Sequence, residues 1–585
     1  MRSALQNRHL RAAFGIALVA SAAITSNAVA QSDPRVGLKP GINDAGEAAK
    51  GMELVGHGMK PDNMQNASNP GDFGFLNSDL AFQGKFVFQG SFNGFQIWDV
   101  SNVTKPALRM TFVCPGGQGD PSVYGHLLFI SVEETRGRVD CGAQGVTDSV
   151  SKDRFRGVRI FDITDMDHPK QIAAVQTCRG SHTHTLVVNK SDKNNLYLYV
   201  SGTAPARSPS ELAGCSGKDA TDDANTSRFR IDVIQVPLAA PQNARIVSNP
   251  RIFATGTNIA GLWKGGNHGE GTQTTSGTDQ CHDITVYAEM GLAAGACSGN
   301  GIVLDIKDPV HPKRIAEVSD PNFAYWHSAT FSNDAKKVVY TDEWGGGTQP
   351  KCQSTDKLTW GADAIFSLDK GKMTPGGYFK VPAPQTATEN CVAHNGMLIP
   401  VPGRDIMAQG WYQGGLAVFD FTDVSHPVEI AYFDRGPMSA DKLYISGEWA
   451  AYWYNGNVYA SEIGRGLDIL QLKPTDMLSQ NEIDAAKLIT STEMNPQAQT
   501  KIVWPASFSV SRAYLDQLGR NSGLASDKAS KITADLDAAE KLSGGAQKSA
   551  LNKLASSIQG EVKGASDQAR VRALAESVKK LAESK

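Results

Sequence analysis

Gly415-Leu-Ala-Val-Phe-Asp420-Phe-Thr, followed by the turn His426-Pro427, decides the fold because it recurs. Gly94-Phe-Gln-Ile-Trp-Asp99-Val-Ser ends at Lys105-Pro106, Gly157-Val-Arg-Ile-Phe-Asp162-Ile-Thr at His168-Pro169, and Gly301-Ile-Val-Leu-Asp305-Ile-Lys at His311-Pro312. Weaker copies cover residues 231–236, 364–368 and 466–472, making about seven in all. Each copy is a β-branched and aromatic run, and the proline after it cannot donate to a ladder, so the run reads as a strand that stops there. Residues 107–113, 171–176, 314–318 and 429–433 read as the hairpin partners, and two more short strands precede each copy, as at 80–82 with 86–89. Four short strands repeated around a chain of this length predict an all-β fold, a seven-bladed β-propeller.

Periodicity changes from 2 to 3.6 near the C-terminus. Ile532, Leu536 and Ala539, then Leu551, Leu554 and Ile558, then Val571, Leu574, Val578 and Leu581 each mark one face of a helix, with Ser526 as an N-cap. The spacing predicts a small α-helical bundle of three helices following the propeller. The organisation read from the sequence is a signal peptide at 1–30, an N-terminal extension at 31–76, the propeller at 77–473, a connector at 474–505 and the bundle at 506–585.

The strand-Asp-Ile-Ser/Thr-proline unit resembles the LVIVD-repeat family of exported bacterial β-propellers over roughly residues 77–472, including the entry Asn77-Ser-Asp79-Leu-Ala-Phe. That resemblance implies the fold and export, and adds little chemistry. The C-terminal part is similar to a helical appendage domain found at the end of some extracellular bacterial proteins, which implies docking or stability.

The N-terminus carries Arg2, Arg8 and Arg11, an apolar run over residues 12–24, and Ala28-Val29-Ala30 before Gln31. This is the layout of a secretory signal peptide, and no later apolar run is long enough for a membrane span. The predicted location is secreted or periplasmic. Net charge is −3, and removing those three arginines takes it to −6, with no basic stripe, so no nucleic acid partner is expected.

All eight cysteines follow the signal sequence, and an even count in an exported chain reads as disulfides. Pairing neighbours around each blade gives Cys114 with Cys141, Cys178 with Cys215, Cys281 with Cys297, and Cys352 with Cys391. Each bridge would close a loop on one face, a stabilisation of roughly 3 kcal/mol in the chain-entropy view. Long insertions at 134–156, 203–227, 255–280 and 344–361 lie on that face, and long ordered loops usually carry function. The stretch from Trp263 to His268 and Glu270 can approach the channel mouth as a lid.

The residues that open successive innermost strands are Asp79, Asp120, His182 with His184, His282, His327, His394 and Glu448. Four consecutive blades therefore begin with histidine. Neutral imidazoles converging at a narrow mouth can hold zinc, copper, iron or manganese. The expected metal ligands are His184, His282, His327 and His394, with His182 as a catalytic general base or spare ligand. Glu343, Gln409 and Glu462, at the ends of second strands, are expected to complete or orient the set. The reading is a metal-dependent enzyme of oxidoreductase or lyase type acting on a small molecule. The alternative is a non-catalytic module that binds a glycan or protein ligand on the loop-rich face.

Overall fold

A glycine opens the third strand of several blades, and its backbone explains the repeat. Gly94, Gly157 and Gly466 have φ of +140°, +142° and +140°, a region that side chains strain. A Cβ there would lie 1.9 Å from the Phe112 carbonyl oxygen, 2.0 Å from that of Val175 and 1.9 Å from that of Gly58, so the bare Cα lets the outer strand pair closely. At the strand's other end, Oδ1 of Asp99, Asp162, Asp305 and Asp420 accepts the backbone N–H two residues on, at 2.7–3.0 Å. A second aspartate then holds the turn histidine: Asp165 to His168 at 2.9 Å, Asp308 to His311 at 2.9 Å and Asp423 to His426 at 3.2 Å. These three histidines are exposed and belong to the turn, as the repeat predicts.

The computed structural model describes residues 33–584, so the signal-peptide reading of 1–30 lies outside the described residues. Strands form six successive antiparallel blades of four consecutive strands, over residues 77–113, 121–176, 183–248, 283–318, 326–379 and 395–435, and Glu493–Met494 adds a fifth strand to the first. The seventh, 448–472, has three strands of its own. Met52–Met59 supplies its fourth, antiparallel to Gly466–Leu472, and Glu47–Lys50 adds an edge strand to blade six. Part of the segment read as an extension at 31–76 is thus propeller, because blade seven would otherwise expose an open edge. Apolar side chains fill the spaces between sheets: Phe95 stacks on Phe112 at 5.1 Å and meets Phe161 at 5.3 Å, and Phe379 stacks on Phe419 at 4.1 Å.

The four expected disulfides, Cys114–Cys141, Cys178–Cys215, Cys281–Cys297 and Cys352–Cys391, all form. Among the described residues no helix is long and apolar enough to cross a membrane.

The segment read as a connector, 474–505, does more than connect. It forms the helix Gln480–Lys487, with Ser479 and Glu482 in a capping box, and then crosses the channel at the ends of the inner strands. Asn495 pairs its side-chain amide with both backbone groups of Val123, at 2.7 and 2.8 Å. Gln499 does the same with Phe331 at 3.1 and 2.9 Å, while the 497–499 backbone bonds Val286 at 2.7 and 2.8 Å. The crossing gives the channel a floor. Beyond it lie helices Phe508–Arg520, Ser526–Glu540, Gly544–Glu561 and Gln568–Glu583, one more than expected. The additional helix, Phe508–Arg520, packs on Gln480–Lys487, while the three predicted apolar stripes share one core. Ser526 is the first residue of its helix and not the cap; Ala525 occupies that position without a side-chain bond.

Gly157→Ala is expected to cost about 1–3 kcal/mol in urea unfolding, through φ strain and the Val175 clash. Gly84→Ala, also at positive φ but facing open space, is expected to cost measurably less; equal losses would contradict this account of the repeat glycine.

Candidate metal centre at the channel mouth

Successive inner strands start around one axis, so residues far apart in the chain meet there. His182, His282, His327 and His394 form an arc with neighbouring ring centroids 4.1, 3.9 and 4.2 Å apart. All four are held by Nδ1 from outside the arc. His182 Nδ1 meets Glu133 Oε2 at 2.7 Å, His282 Nδ1 meets Asp283 Oδ1 at 3.0 Å, His327 Nδ1 faces Thr341 Oγ1 at 3.4 Å, and His394 Nδ1 donates to the Trp449 carbonyl. The acceptors at Glu133, Asp283 and the Trp449 carbonyl place the proton on Nδ1 of those three rings and leave Nε2 facing inward, whereas the Thr341 hydroxyl can donate or accept at His327.

The inward nitrogens are short of partners. Nε2 of His327 and of His394 is buried with no hydrogen bond, and each lies 3.8 Å from a different oxygen of Glu343. Nε2 of His182, which the Gln118 amide nitrogen also meets at 2.5 Å, faces Nε2 of His282 at 2.6 Å. With both Nδ1 atoms turned to carboxylates, two lone pairs would oppose at that distance unless a cation, a proton or a metal, lies between them. One ligand atom from each of His282, Asp283 and His327, and likewise from His327, Glu343 and His394, falls within 4.8 Å of the others.

Protonation matches this geometry. Burial holds the pKa of His282 and His327 well below the ordinary imidazole value and brings His394 to about 3, so these three rings are neutral. Burial also opposes charge on His182, but the Glu133 carboxylate and its hydrogen bond outweigh it and raise the pKa. Burial lifts Glu343 to about 7 against the bond donated by the Tyr412 hydroxyl. Tyr412 itself has φ +50°, a strained conformation for a bulky residue that here aims the phenol at the carboxylate.

The structure exchanges two of the expected roles. His184 is not in the arc: its Nδ1 bonds Ser131 Oγ at 2.8 Å and its ring packs near Phe129 of blade two, 6.2 Å away. His182, read as a base or spare, takes its place, because it precedes the strand and sits one step nearer the mouth. Glu343 reaches the arc. Gln409 does not; it donates to Asp363 at 2.9 Å and to the His394 carbonyl at 3.0 Å, supporting that strand from behind. Glu462 is engaged by Arg465 Nη1 at 2.8 Å and by the Gly447 N–H at 3.1 Å, away from the centre. Sequence reasoning missed Glu133, yet it follows strand Leu127–Val132 as Glu343 follows Lys337–Asp342. The same position in two blades was the available signal.

Above the arc opens a cleft of about 730 Å³, lined by His182, His282, His394, Glu133, Glu343 and Tyr412 among others. The stretch read as a lid does not line this cleft: Trp263 and His268 stack on each other at 3.8 Å, and Trp263 lines a separate cleft, while Thr274 and Ser276, farther along the same loop, reach the mouth.

No family model matches this chain, and no curated protein matches it in sequence. Solved structures similar to it include hydrazine synthase from Kuenenia stuttgartiensis, at 11% identity and TM-score 0.41 over 71% of this chain and 98% of that one. The periplasmic gluconolactonase PpgL of Pseudomonas aeruginosa is similar at 12% identity and TM-score 0.39, over 68% of this chain and 97% of that one. Likenesses this distant carry no chemistry across.

In metal-free protein, the ion pair of His182 with Glu133 contributes stability that is complete below the unfolded imidazole pKa of about 6.5 and fades as pH rises through the higher folded value. Glu133→Gln is therefore expected to lower stability most near pH 6, with the deficit shrinking toward alkaline pH; thermal unfolding across pH 5.5–9 checks the trend.

Proposed function

We propose that this is an exported metal-dependent enzyme whose transition-metal ion is held by His182, His282, His327 and His394. The observation that carries the reading is that Nε2 of His327 and of His394 is buried without a partner, beside Glu343 and next to a His182–His282 pair whose Nε2 atoms face each other at 2.6 Å. Metal–nitrogen bonds of about 2.0–2.1 Å would set neighbouring nitrogens about 2.9 Å apart around an ion that keeps a further position open beside four imidazoles, so the His182–His282 pair need open only slightly. Imidazole suits copper, iron and zinc, and leaves the positive charge of the ion largely intact.

Bound there, the ion would supply Lewis-acid or redox chemistry on a molecule entering from the cleft. The chain's own part is positional. Glu133 and Asp283 orient two rings, and Glu343, held by Tyr412 at the cleft wall, stands where it can take a proton from or return one to the bound molecule. Chemistry of the oxidoreductase or lyase type fits an open coordination side facing the cleft and a floor that closes the opposite end. The four disulfides support an oxidising compartment, secreted or periplasmic.

Elemental analysis of untagged protein tests this. About one transition-metal ion per chain is expected, lost in His327→Ala and His394→Ala but retained in His184→Asn, with folding of each variant checked by circular dichroism. Because a His182 proton must leave, uptake near pH 6 is expected to release about one proton, measured by calorimetry in buffers of different ionisation heat. Folded protein that neither carries nor takes up zinc, copper, iron or manganese would leave only the binding module.

A further inference from the structure

The cleft above the imidazoles has a continuous apolar wall. Phe73 meets Phe92 edge-on at 5.8 Å, Phe92 meets Trp449 edge-on at 6.2 Å, and Trp449 reaches the His394 ring at 4.7 Å. Leu76 and Ile445 extend the same lining. Phe73 is 50% exposed, a large aromatic kept at the rim of a concave site, where leaving it open to water costs free energy without a partner. The wall thus runs from solvent to the ligand set.

Charge narrows the guest further. No lysine or arginine lines the cleft; its charged lining, apart from the histidines, is Glu133, Glu134 and Glu343. A carboxylate, phosphate or sulfate guest would be desolvated beside carboxylates with no lysine or arginine to receive it, and the His182 charge is already paired with Glu133 at 2.7 Å. A cationic guest fares no better, since each carboxylate is already engaged. Glu133 binds His182 and the Thr203 hydroxyl, Glu134 lies 3.3 Å from Arg136, and Glu343 accepts from Tyr412. The polar lining that remains includes Thr135, Ser276 and the amide oxygen of Gln118, whose nitrogen is taken by His182.

We infer that the site takes an uncharged molecule with an aromatic or alicyclic body. The body lies on the Phe73–Phe92–Trp449 wall and its hydroxyl or carbonyl points to Glu343 and the imidazoles. The chemistry done on that group rests on the metal-centre reading; the wall's preference does not.

Equilibrium dialysis separates the two. With 2-naphthol, 2-naphthoate and 2-naphthylmethylammonium as probes at pH 7, the chelator-stripped protein is expected to bind naphthol at least about tenfold more tightly than either ion. Phe73→Ala is expected to weaken naphthol about three- to tenfold, and Phe73→Arg to reverse the order in favour of naphthoate. Equal binding of the three probes, or indifference to both Phe73 variants with folding intact, overturns the inference even if a metal is found. The predicted selectivity in a protein that takes up no metal sustains the wall and removes only the metal centre.

Discussion

The ladder between Met52–Met59 and Gly466–Leu472 is the contact on which everything else depends. A propeller has an axis only when its last sheet is completed, and here the completing strand comes from the other end of the chain. Its register runs from Met52 opposite Leu472 to Met59 opposite Gly466, and the φ of Gly466 lets the Gly58 carbonyl approach where a Cβ could not fit. The closure is reinforced by charge: Asp468 accepts from His57 at 2.5 Å and from Arg435 at 2.8 Å, and Arg465 reaches the backbone oxygens of Gly41 and Gly436 at 2.8 Å. Opening this ladder would release the N-terminal strand and with it the common centre toward which the imidazoles point.

The fold was legible because each repeated residue serves the backbone in its own way, glycine through close strand approach, aspartate through the turn and proline through the stop. The closing strand was not, since Met52–Met59 lacks the aspartate turn of the repeat and pairs across more than four hundred positions. Convergence of the histidines followed from equivalent strand starts and needed no side-chain geometry. The choice between His182 and His184 did. Two residues apart on an extended chain, they share a face, and only Ser131 in the neighbouring blade decides that the deeper ring is a packing group. Likewise Glu462 and Glu343 look alike as residues at the ends of second strands, and Arg465 three positions on is what withdraws one of them.

Below the imidazoles the channel changes character. Asp79, Asp120 and Asp283 are buried there, and their partners are amides, backbone and histidine instead of lysine or arginine: Asp79 accepts from Gln497 at 3.0 Å and from Asn395 at 3.2 Å, and Asp120 from the His184 N–H at 3.2 Å. Burial lifts Asp79 to about 7 and Asp120 well above the ordinary carboxyl range, so the lower channel is largely an uncharged hydrogen-bonded network. Gln497 ties that network to the crossing segment, which explains why a stretch that reads as linker is rich in asparagine and glutamine. Those side chains imitate a backbone where no further strand exists.

The charge balance of the mouth ties these levels together. Burying a divalent ion among four neutral imidazoles would be costly unless negative charge stood close by. Glu133, kept ionised despite burial by His182, lies directly behind one ring, and Glu343 lies 3.8 Å from two others. Were such an ion bound, two carboxylates beside it would bring the site near neutrality. The same balance would leave the cleft above with little net charge, the condition under which an aromatic wall, and not a charged anchor, would decide what binds.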